Sequence, residues 1–182
     1  MYNLCCILGR TAGKPPYIPV TNKTIGIDKL QHTLSEVEKT KALDAGMLVT
    51  VYNDYTNNFV VLQGVNTLQD NKVLFNSNGQ SHSIQFMRIV AQINKELVVN
   101  ASIDLLGQEN GVNVNTLSAG AVKDWTVAYL QSRVATEAQD NLLLSFKDVV
   151  VTRQEDAWFV TYKIVVNNEI NKLFFTGFLI RG

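Results

Sequence analysis

Hydrophobic and polar positions alternate in two distinct periods along this 182-residue chain, and the period changes mark its elements. Over Ser83–Leu105, Phe86, Val90, Ile93, Leu97 and Ala101 recur at three- and four-residue spacing with Met87 beside them, which predicts a long amphipathic helix. Thr116–Thr136 predicts a second helix, with Leu117, Ala121, Trp125, Ala128 and Tyr129 on its apolar face. A short third helix opens at Ser35-Glu36-Val37-Glu38. There the serine caps the first turn, the glutamate three residues on completes a capping box, and Gly46 supplies the stop after Ala45.

Elsewhere the period is that of strands. Met47–Asn53 and Asn58–Gly64 are apolar runs around Asp54-Tyr55-Thr56-Asn57 and predict a hairpin. Lys147–Arg153, Trp158–Val166 and Leu173–Ile180 predict three more strands, the first two joined by Gln154-Glu155-Asp156 and the last two near Asn167-Asn168-Glu169. Residues 1–30 pair an apolar run, Leu4–Leu8, with Gly9, Gly13, Pro15, Pro16 and Pro19. They read as a β-type opening followed by an extended, proline-stiffened segment. Asn66–Ser81 reads as a polar loop with a short strand at Lys72–Phe75, and Gly107–Asn115 as a turn-rich connector. The expected fold is a single α+β domain over 1–182. A mixed, largely antiparallel sheet packs against two long helices and one short helix, with terminal strand arms.

The last strand is unusual. Leu173, Phe175 and Leu179 face one way and Phe174, Phe178 and Ile180 the other, so both faces need cover. It lies either at the centre of its own sheet or against another molecule.

Composition sharpens this picture by exclusion. A hydrophobic share of 46% against 18% charged residues describes a globular chain. The formal net charge is +0, so whole-molecule attraction to nucleic acid or an anionic membrane is absent, and close self-packing meets no long-range repulsion. No run approaches a bilayer span, so direct membrane insertion is not expected, and Met1-Tyr2-Asn3-Leu4 lacks a basic signal-peptide start. Cys5 and Cys6 are adjacent and read as small apolar residues rather than an acylated pair.

No catalytic pattern survives inspection. Gly9-Arg10-Thr11-Ala12-Gly13-Lys14-Pro15 has a phosphate loop's composition, but its glycines are too close and Pro15 stands where the magnesium-binding hydroxyl belongs. His32 and His82 lie in polar surroundings without a ligand set for zinc. Glu36/Glu38 sit at a helix start and Glu155/Asp156 in a turn, each a structural place for acids. The cations Lys23, Lys29, Lys39 and Lys41 are offset by Asp28, Glu36 and Glu38, so no nucleic-acid surface is expected. Asn22-Lys23-Thr24 and Asn100-Ala101-Ser102 are sequons without an export signal. No catalytic residue, cofactor or metal site is expected. Lys123, Asp124, Arg133 and Glu137 lie opposite the apolar stripe of the second long helix, either as a solvated face or as a charged docking face.

A set of segments in fixed order carries a resemblance. These are Ala12–Pro15 with Thr24 and Leu30, Leu43-Asp44-Ala45-Gly46-Met47-Leu48-Val49, and Val60-Val61-Leu62-Gln63-Gly64-Val65-Asn66-Thr67. Met87-Arg88-Ile89-Val90, Leu106–Asn110, Trp125, Tyr129-Leu130 and Asn168–Thr176 follow. Together they resemble the C-terminal region of contractile tail sheath proteins of myophages and contractile injection systems. The resemblance implies a structural subunit, not an enzyme. It would stack with its own copies in hexameric rings or a helix around a tail tube protein, and would meet a baseplate and a tail terminator. Contraction would drive the tube through the host envelope for genome ejection. Such a subunit belongs to the virion, in the phage tail, and is assembled in the host cytoplasm. Under this resemblance residues 171–182, with Leu173, Phe174, Phe175, Phe178, Leu179 and Ile180, form an inter-subunit strand arm, and Lys123, Asp124, Arg133 and Glu137 face the tube. Sheath proteins carry a longer N-terminal portion, so the resemblance also admits a fragment, a processed piece or a small sheath. Two other functions are compatible with the sequence: another tail component with a sheath-like core (collar, terminator or baseplate protein), and a small enzyme with an unrecognised site.

Overall fold

The computed structural model describes residues 2–67, 83–106, 117–134, 142–155 and 157–166, with side chains from Cys5 onward. In chain order these form α1 (Tyr2–Ala12), α2 (Glu36–Asp44), β1 (Thr50–Asn53), β2 (Asn58–Val61), α3 (Ile84–Ala101) ending in a π-helical turn (Ser102–Leu106), α4 (Ala119–Ser132), β3 (Leu143–Gln154) and β4 (Ala157–Val166). The α+β class is as expected. The described strands form two separate antiparallel pairs, β1–β2 and β3–β4.

Local chemistry sets most boundaries. At α2 the Ser35 Oγ accepts from the Glu38 amide at 3.4 Å, and the Ser35 amide donates to Glu38 Oε2 at 2.8 Å. These two bonds satisfy donors that the first helical turn leaves open. Gly46 then stops the helix at φ +74°, where a side chain is strained. A Cβ there would lie 2.2 Å from the Asn66 carbonyl oxygen, so the site also excludes alanine sterically. Ser83 and Ser118 cap α3 and α4, their hydroxyls accepting from the amides of Phe86 and Ala121. In the hairpin turn the Asn53 Oδ1 accepts from the Tyr55 and Thr56 amides, at 3.0 and 3.3 Å.

The opening run differs from expectation. Residues 2–12 are helical rather than β-type, because Ile7, buried at 4% exposure, lies on a helical face whose next turn is tied by the Thr11 hydroxyl donating to the Ile7 carbonyl. The segment after it is irregular, as its prolines require. Its later part adds to the free side of β2: Ile25 donates to the Phe59 carbonyl at 2.9 Å, and Asn22 to the Val61 carbonyl at 2.7 Å.

α4 is shorter than expected, Ala119–Ser132, and its buried line is Val122, Thr126 and Leu130. Trp125 and Tyr129 flank that line, whereas Ala121 and Ala128 are exposed. The expected stripe was therefore centred on the wrong side of the helix. Thr126 is polar by composition, yet its hydroxyl donates to the Val122 carbonyl at 2.8 Å and its methyl joins the core.

Two cores result. One joins Ile7, Val20, Ile25 and Val61, with Leu48, Phe59 and Ile84 against them. The other joins Phe86, Ile89 and Ile93 of α3, Leu130 of α4, Leu142, Leu143 and Val149, and Val166 at the end of β4. α3 belongs to both. Its Ile84 amide donates to the Gly64 carbonyl at 2.9 Å, and its Gln85 Nε2 to the Tyr17 carbonyl at 2.8 Å. The polar stretch at 68–82, the connector at 107–116 and the end strand at 171–182 lie outside the described residues.

Candidate assembly interface

α3, α4 and the β3–β4 ribbon are held together by polar contacts at their rim. Arg133 pairs with Glu96 at 2.8 Å, lies over the Tyr129 ring at 5.4 Å and donates from Nε to the Tyr129 hydroxyl at 3.3 Å. The Tyr129 hydroxyl donates in turn to Glu96, which also accepts from Gln92. Burial pushes the Glu96 carboxyl up, but the hydrogen bonds from Tyr129 and Gln92 and the charges of Arg133 and Lys95 outweigh it and hold the group below its ordinary value. Burial, and then the bond to Glu96, pushes the Tyr129 phenol up to about 12. The Tyr162 hydroxyl of β4 donates to Asn94, and Trp125 Nε1 donates to Asp104 Oδ2 at 3.0 Å.

Below this rim runs an apolar groove of about 830 Å³. The second half of α3 supplies Leu97 and Val98, the start of α4 Val122 and Trp125, and the start of β4 Trp158 and Val160. The Trp158 indole N–H is buried and has no acceptor among the described residues. Leaving such a donor unpaired costs about 1–3 kcal/mol. Apolar surface is open at this end of the groove, where Val98, Ile103 and Leu106 are each more than three-fifths exposed. The outer face of the ribbon shows Leu144, Val150, Phe159 and Val165 as well. Exposed apolar patches of this kind mark candidate interaction surfaces.

The expected charged face is only partly gathered. Lys123 and Asp124 are exposed on α4, whereas Arg133 is turned into the Glu96–Tyr129 cluster, and Glu137 lies outside the described residues. His32 is exposed and His82 lies outside the described residues. Glu36 pairs with Lys39 at 2.7 Å and Glu38 closes the capping box, so both acids have structural work. Gly9 and Gly13 of the loop-like run fall on and just after α1. Among the described residues no three His, Cys, Asp or Glu side chains converge as a metal site, and no helix is long and apolar enough to cross a membrane. Cys5 is exposed and Cys6 half-buried, its thiol directed at the Gly26 carbonyl at 3.8 Å. Sequence reasoning did not find the groove or the Glu96–Tyr129–Arg133 cluster. Glu96 and Tyr129 are brought together by helix packing, and no local spacing signals that.

No family model matches the chain, and no curated protein sequence matches it. Solved structures do. A sheath tail protein from Listeria innocua superposes with a TM-score of 0.51 at 17% identity, over 86% of this chain and 40% of that one. A sheath tail protein from Desulfitobacterium hafniense gives 0.58 at 17%, over 87% and 39%. The helical sheath of the anti-feeding prophage in its contracted state gives 0.60 at 12%, over 95% and 48%. This chain therefore spans less than half the length of each. Its α+β fold, with α3 shared between two cores and the β3–β4 ribbon against α4, is a contractile-tail-sheath-like fold.

Proposed function

We propose that this protein is a structural subunit of a contractile tail sheath, assembling with its own copies around a tail tube and contracting to drive that tube through a host envelope. One observation carries the reading: the superposition over 95% of the chain on a helical sheath in its contracted state. The apolar surfaces at Val98–Leu106 and on the outer face of β3–β4 support it, because a self-assembling subunit needs apolar surface to meet its copies. The neutral net charge supports it too, since dense stacking meets no long-range repulsion. In this reading the tube, a baseplate and a tail terminator are the further partners, the virion tail is the location, Lys123 and Asp124 of α4 face the tube, and residues 171–182 are shared between copies.

Electron microscopy of the purified chain tests the reading. Striated tubes or stacked rings are the expected result, and removing 171–182 or introducing Phe175→Pro should abolish them, since proline takes a donor out of the strand ladder. Isolated single rings would favour a terminator-like component instead. Monodisperse monomers at high concentration would overturn the assembly role.

A further inference from the structure

We propose that the small pocket between the end of α1, the segment 14–23 and α3 binds a single phosphate-class oxyanion. Arg10, Lys14, Lys23 and Arg88 all line it. They come from three parts of the chain: the last turn of α1 and the turn after it, the segment beside β2, and the second turn of α3. Folding thus gathers four positive charges at one place on a chain whose formal net charge is +0. Like charges brought together repel, and an anion seated among them turns that repulsion into attraction. Two of the four belong to the run whose composition suggested a phosphate loop. Its backbone does not act as one. The Gly13 amide donates to the Gly9 carbonyl at 3.1 Å and the Lys14 amide to the Thr11 carbonyl at 3.4 Å, while the Thr11 hydroxyl is spent on the Ile7 carbonyl. The run supplies the Arg10 and Lys14 side chains instead.

The frame around the pocket is fixed by its own bonds. The Asn22 amide donates to the Val61 carbonyl at 2.7 Å and the Val61 amide to the Lys23 carbonyl at 3.1 Å, which fastens Lys23 to β2. Arg88 Nη2 donates to the Lys14 carbonyl and ties α3 to the exit of α1. That bond and the dipole of α1 explain part of the cluster, because cations complement the carbonyls at a helix end. They do not explain Lys23, which belongs to another segment, or the second arm of Arg88, whose Nη1 is buried without an acceptor among the described residues. Burial also pushes the Arg88 guanidinium below its ordinary value, the mark of a cation that has given up water. A guanidinium fork fits two oxygens of a phosphate, and lysines add point charges around it. The cavity, about 30 Å³, admits one small anion or the terminal group of a larger one. Ile18 and Pro19 form an apolar part of its wall, which strengthens each charged contact inside.

Calorimetric titration of the full-length chain with inorganic phosphate, at neutral pH and fixed ionic strength, decides it. One saturable site is expected, with a melting temperature that rises with phosphate and does not rise with chloride at equal ionic strength. Arg88→Gln and Lys23→Gln should each weaken binding by about tenfold or more, the scale of a lost hydrogen bond to a charged group. Lys41→Gln, on an exposed side chain of α2 outside the pocket lining, should leave binding unchanged. If Arg88→Gln does not fold because its bond to Lys14 is gone, Lys23→Gln and Arg10→Gln carry the test. Phenyl phosphate separates the two sources of the anion: affinity equal to that of inorganic phosphate assigns the site to a terminal phosphoryl group, and loss of binding assigns it to the free anion. Absence of saturable phosphate binding, or binding that the pocket variants leave unchanged, would overturn the proposal. The site does not rest on the assembly role, and a monomer tests it as well as a tube does.

Discussion

Gly46 and Glu96 are the two positions at which single atoms carry the most. At Gly46 a methyl group meets the Asn66 carbonyl at 2.2 Å and the backbone stands at φ +74°, so two penalties coincide. Gly46→Ala should cost at least about 2 kcal/mol, read as a lowered urea midpoint with unchanged slope. Glu96 gives a pH signature. Its folded-state pKa is depressed, so its contribution is complete above the ordinary carboxylate range and is lost as pH falls through the lower folded value. Tyr129 has the opposite sense. Its folded pKa is raised to about 12, so its contribution holds below the unfolded value near 10 and is lost as pH climbs between the two. Tyr129→Phe should reduce the alkaline slope, to which the burial-raised Tyr162 phenol also contributes, and cost about 1 kcal/mol at neutral pH. Glu96→Gln should flatten the acid slope. Denaturant midpoints measured across both ranges check each variant, and unchanged profiles would contradict the cluster's role.

Among the elements, those with local punctuation were legible in the sequence and those defined by distant contacts were not. Ser35–Glu38 and Gly46 fixed α2 because capping is decided within one turn. The hairpin was legible because Asp54–Asn57 supplies turn residues between two short apolar runs. α1 was read as β-type because Gly9, Gly13 and the prolines after it obscured a three-turn helix whose clearest anchor is Ile7. α4 was found, but its buried face was misplaced. Hydropathy counts Ala121 and Ala128 as apolar and Thr126 as polar, whereas burial depends on what α3 and β3 press against. Leu130, fully buried between those elements, is therefore the side chain on which α4 docking depends. Leu130→Ala should cost about 2–5 kcal/mol. The exposed Ala128→Ser on the same helix should cost under about 0.5 kcal/mol. Thermal melts of the two variants separate the real face from the expected one. The groove could not be read from local pattern at all, because it exists only where α3, α4 and β4 converge.

At the scale of the whole molecule, equal numbers of acidic and basic side chains leave no net charge to steer one copy toward another. With no net charge to screen, self-association should change less than about twofold in light scattering between low and moderate salt, unlike assembly steered by opposite charges. A steep salt dependence would point instead to the charged face of α4 as the dominant contact. α3 has a consequence for how the molecule comes apart. Its first turn meets the N-terminal core through Ile84 and its middle packs in the C-terminal core, so this helix is the link through which the two cores would melt together. If that link couples the cores, calorimetry should record one transition whose measured enthalpy equals the van't Hoff value. Amide protons along α3 should be among the slowest to exchange, released only by global opening. In the proposed sheath role, such a helix would carry a push on one core into the other.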